Sequence, residues 1–81
     1  MTAALVELIA HFAIFLDLAD ESMISIEAAV QLQEEMSFRL QSLSPNERAE
    51  FLRLLALVAE GESSPERQDI LKRLPEEIGL V

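Results

Sequence analysis

The sequence predicts an all-α fold, a compact four-helix domain with helices near residues 3–19, 25–43, 45–60 and 65–74. Three observations predict it. Only two of the 81 residues are glycine, while Ala, Leu and Glu are abundant, and that composition favours helix. No segment alternates apolar and polar residues with the period of two that a half-buried strand requires. The stretch "SPNERAEFLRLLALVAEGESSPERQDILKRLP" carries one start signal twice, Ser-Pro with Glu-Arg close behind, at Ser44 and at Ser64. Each serine can accept from the first-turn amides, and each proline suits the first helical position. The doubled pattern is helix punctuation.

In the first helix, Leu5, Leu8, Ile9, Phe12, Leu16 and Ala19 fall on one apolar stripe at 100° per residue, the expected core face. Ile14 and Leu18 fall on the other side, beside Glu7 and His11. A helix apolar on both sides is either central in its domain or in contact with a second molecule. "DLADES" then forms a short acidic loop with Asp17, Asp20 and Glu21.

The second helix has Ser25 as its expected N-cap. Ile26, Ala29, Val30, Leu32, Met36, Leu40 and Leu43 line its expected core face. Phe38 projects from the far side, among Glu27, Gln31, Glu34 and Glu35. An apolar anchor ringed by polar groups is a common way to build a protein interface, although single exposed apolar residues are also ordinary.

The third helix opens on Ser44, Pro45 and Glu47, the capping-box arrangement. Phe51, Leu52, Leu54, Leu55, Leu57 and Val58 cover most of its circumference, so it is expected to be central. Gly61 is its natural stop. The fourth helix opens on Ser64, Pro65 and Glu66 and is expected to end at Leu74, limited by Pro75. Ile78, Leu80 and Val81 should fold back on the core.

Fifteen acids against six bases give a net charge of −9, and no Lys or Arg precedes Arg39. Such a surface repels nucleic acid and anionic membrane and attracts basic protein. Neither nucleic acid nor membrane is therefore an expected partner. Acidity also serves simply to keep a very apolar small chain in solution. Without cysteine there is no disulfide framework and no thiolate metal site. The run "AALVELIAHFAIFLDLA" lacks a basic lead and is interrupted by Glu7, His11 and Asp17, so it reads as neither signal peptide nor membrane span. A cytoplasmic location fits these features.

Catalytic signatures are missing. Glu7 and His11 stand one helical turn apart, but no third or fourth ligand follows at motif spacing, and Glu-x-x-His does not occur. "DLADES" lacks the glycine and the terminal glutamate of a calcium loop. There is no Gly-x-Ser-x-Gly elbow and no glycine-rich phosphate loop. The expectation is a non-enzyme without metal or cofactor. Two other classes stay open: a homodimeric adaptor burying Ile14, Leu18 and Phe38 between subunits, and a small metal enzyme using carboxylates with His11.

A short, cysteine-free, acidic, helical chain whose segment "EEMSFRLQSLSPNERAEFLRLLALVAE" has this cadence resembles the immunity proteins of bacterial polymorphic toxin systems, including contact-dependent and type VI secretion systems. The resemblance covers general character over most of the chain and no diagnostic motif. The chain has no tyrosine, unlike the colicin DNase immunity proteins with their paired tyrosines, so no residue role is carried over from them. The resemblance implies neutralisation of a cognate toxin by occlusion of its active site. A nucleic-acid-directed toxin would present a basic surface that an acidic inhibitor can occupy. On this reading the expected contact residues are Phe38, Glu34, Glu35, Gln31 and Glu27, and then Asp17, Asp20 and Glu21.

Overall fold

A computed structural model describes residues 2–81. Four helices follow one another: α1 (Ala3–Leu18), α2 (Ile26–Gln41), α3 (Pro45–Glu60) and α4 (Pro65–Glu77). The all-α four-helix domain is as expected from the sequence, and each helix starts on a hydroxyl cap. Thr2, Ser25, Ser44 and Ser64 each accept from the backbone amide three residues on. At Ser44 the capping box is complete. The Glu47 amide donates to Ser44 Oγ at 3.2 Å, and the Ser44 amide donates back to Glu47 Oε1 at 3.0 Å.

The core lies where α1, α3 and α4 pack on one another, while α2 leans mainly on α1. Phe51, Leu55, Leu71 and Val6 are its most enclosed large side chains. Helix α3 is thus central to a three-helix core, but not all of its apolar arc is used, because Leu57 faces solvent.

The face of α1 differs from the expected one. Leu16 is buried and Leu18 exposed as expected, but Val6, Ala10, Ala13 and Ile14 are also buried, whereas Leu5, Leu8 and Phe12 of the expected stripe are exposed. Apolar residues surround most of this helix, so periodicity could not choose between faces. Close approach to two neighbouring helices selects the side with small residues at Ala10 and Ala13, and the bulky side is left outside.

Helix α2 also departs from expectation. Only Leu40 is buried, with Met36 and Leu43 packed against the core, while Ile26 and Val30 are exposed. Its C-terminal half is fastened by polar contacts instead. Ser37 Oγ and Gln41 Nε2 both donate to the Ile78 carbonyl, at 2.9 and 2.8 Å. Arg48 Nη2 donates to the Gln41 carbonyl at 3.1 Å, close to the negative end of α2.

Helix α4 does not stop at Leu74. It runs through Pro75 to Glu77. Proline removes one hydrogen bond and crowds the preceding turn, at a cost of about 3 kcal/mol. A strong closure beyond it offsets that cost. Gly79, at φ 76°, donates to Glu76, and Leu80 donates to Pro75, which is a Schellman cap. The cap turns Ile78 and Leu80 into the core, where burial of each contributes about 1.5–3 kcal/mol. Gly61 follows α3 as expected, but with ordinary right-handed dihedrals, so that position makes no demand for glycine.

Candidate protein-binding surface

Phe38 is 76% exposed, the most open large aromatic side chain among the described residues. On α2 it follows Glu27, Gln31 and Glu34 at intervals of eleven, seven and four residues, so these four share one outward stripe. All four are exposed. Among the described residues, Glu27 and Glu34 enter no ion pair, so both present free negative charge.

Glu35 has a different setting. Its carboxylate pairs with Arg39 at 2.9 Å and rims a separate groove on the other flank of α2. Of the four residues expected around Phe38, Glu35 is the one that the structure turns toward another surface.

Phe38 lines a shallow depression with Val30, Gln33, Glu34 and Glu77. Asp20 and Glu21 line the adjoining depression, which also includes Val30 and Gln33. Asp17 reaches a small cleft of about 110 Å³ that again includes Gln33 and Glu77. Phe38 and Glu34 of α2 and the acidic loop therefore border one continuous surface, joined through Val30, Gln33 and Glu77. Sequence reasoning missed these three linking residues. Glu77 comes from the turn of α4 that Pro75 was expected to forbid, and its position four residues after Arg73 was the available signal.

Charge along this surface is uneven. The Ser22 hydroxyl and amide donate to Asp20 Oδ1 at 2.6 and 3.0 Å and hold its carboxyl below its ordinary value. Asp20 is ionised and structurally occupied. Arg73 bridges Asp69 and Glu77, at 2.9 and 2.8 Å, and its positive field also reaches Asp17.

The other candidates do not converge on it. Ile14 lies in the domain's own core at 3% exposure, so Ile14, Leu18 and Phe38 cannot form one intersubunit surface. His11 and Leu18 line a groove with Phe15, Met23 and Arg67 on another side. Among the described residues no three His, Cys, Asp or Glu side chains come together around a potential metal position. No described helix is long and apolar enough to cross a membrane. No protein-family model, curated protein or solved structure matches the chain.

Proposed function

We propose that the protein binds another protein through the acidic surface centred on Phe38 and thereby neutralises it. The supporting observation is the combination of an open aromatic anchor with Glu27 and Glu34, unpaired among the described residues, on the same helical stripe. An anchor of this kind gives up water readily on docking, and the carboxylates steer a basic partner toward it. The resemblance to immunity proteins supplies the class of partner, a cognate toxin domain whose active site or substrate groove the inhibitor covers. This reading makes the chain a cytoplasmic binding protein and not an enzyme, and the same negative surface disfavours nucleic acid and anionic membrane as partners.

Binding kinetics against a candidate basic toxin at two ionic strengths test the reading. Glu27→Gln with Glu34→Gln should slow association and flatten its salt dependence, because attraction at a distance acts on encounter and is screened over about 8–10 Å. Phe38→Ala should act mainly on dissociation and weaken affinity roughly thirtyfold. If both variants keep wild-type kinetics, the Phe38 surface is not the contact.

A further inference from the structure

The exposed side of α1 has a periodicity of its own. Leu5, Leu8, Phe12 and Phe15 follow one another at intervals of three, four and three residues, the spacing of a coiled-coil seam. All four are large apolar side chains open to solvent, Leu8 at 65%. Beside them an open groove of about 580 Å³ runs between α1 and α2, with Leu32, Met36 and Leu40 on its far wall. Contiguous exposed apolar surface of this kind marks an interaction site.

We propose that this face pairs with the same face of a second copy of the chain, around a two-fold axis. Charge argues for that occupant. Two chains of net charge −9 repel, so contact between copies costs least where unpaired carboxylates are absent. The positions flanking the seam are Ile9 and Leu16 on one side and His11 and Leu18 on the other, and none is acidic. The groove's charged rim, Glu35 with Arg39, is neutral as a pair. A basic partner gains nothing from this face and is drawn instead to the Phe38 stripe.

Shape argues the same way. A seam of two heptads is too short to hold two lone helices together. Here ridge and groove lie side by side on one surface, so a two-fold lets each copy's α1 ridge fill the groove of the other. The pairing does not depend on toxin binding. It leaves Phe38 free and gives the assembly two acidic surfaces.

Sedimentation of the full chain over a wide concentration range tests the pairing. The wild type should move from 9.1 kDa to twice that mass. Leu8→Glu should weaken association at least about tenfold with an unchanged helical circular dichroism spectrum, whereas Phe38→Ala should still dimerise. Because the chain has no cysteine, Leu8→Cys offers a second readout that tolerates a marginal fold. A short bifunctional maleimide should cross-link it into a covalent dimer and leave Phe38→Cys monomeric. A wild type that stays monomeric at every concentration overturns the proposal, as does a dimer that Phe38→Ala abolishes and folded Leu8→Glu does not. Cross-linking at Phe38→Cys but not at Leu8→Cys has the same consequence.

Discussion

The side-chain amide of Gln41 donates to the Ile78 carbonyl at 2.8 Å, and the same amide nitrogen would stand 2.6 Å from a Cβ placed on Gly79. One contact thus ties α2 to the end of α4, beside a residue whose φ of 76° favours glycine where the chain turns. Gly79→Ala would incur the left-handed penalty of about 1–2 kcal/mol and would also push the amide off its acceptor. The total loss expected in urea unfolding is about 1–3 kcal/mol. Combining it with Gln41→Ala removes the clash but not the backbone strain, so the double variant should lose less than the two singles added together. Full additivity would mean that the two residues are independent.

Leu55 and Leu57 stand two residues apart on α3 with opposite exposures, 1% and 53%. Leu55→Ala should cost about 2–5 kcal/mol because it leaves a cavity among packed helices. Leu57→Ala should stay within about 0.5 kcal/mol. Equal melting temperatures for the two variants would contradict the placement of α3.

The capping box of α3 makes a pH-dependent contribution. The Ser44 amide and then the Ser44 hydroxyl hold the Glu47 carboxyl below its ordinary value. Since folding lowers this pKa, the stabilisation is complete above the ordinary value and disappears as pH falls through the lower, folded-state value. Glu47→Gln keeps an acceptor but cannot titrate. The stability advantage of wild type over Glu47→Gln at neutral pH should therefore shrink toward zero below about pH 4. Ser44→Ala should cost about 1 kcal/mol at neutral pH.

Helix α2 is expected to open from its N-terminal end. Ile26 and Val30 contribute little burial, while Leu40, Ser37 and Gln41 hold the other half. Native-state hydrogen exchange should show weaker protection from Ala29 to Gln33 than from Leu54 to Val58 in α3. Equal protection in both segments would show that α2 belongs fully to the cooperative core.

Helix number, the four starts and the outward position of Phe38 were legible in the sequence because they follow from local interactions. A hydroxyl three residues from an amide, a proline at the first helical position and a 100° turn per residue act within one segment. The buried face of α1 was not legible, because apolar residues surround it and the small size of Ala10 and Ala13 matters only when other helices come close. Continuation of α4 past Pro75 was equally hidden. It depends on Gly79, Leu80 and the Gln41 clamp, which offset the lost hydrogen bond through contacts made only in the folded chain. The surface that joins Phe38 to the acidic loop required those same contacts, since Glu77 reaches it only once α4 has its last turn.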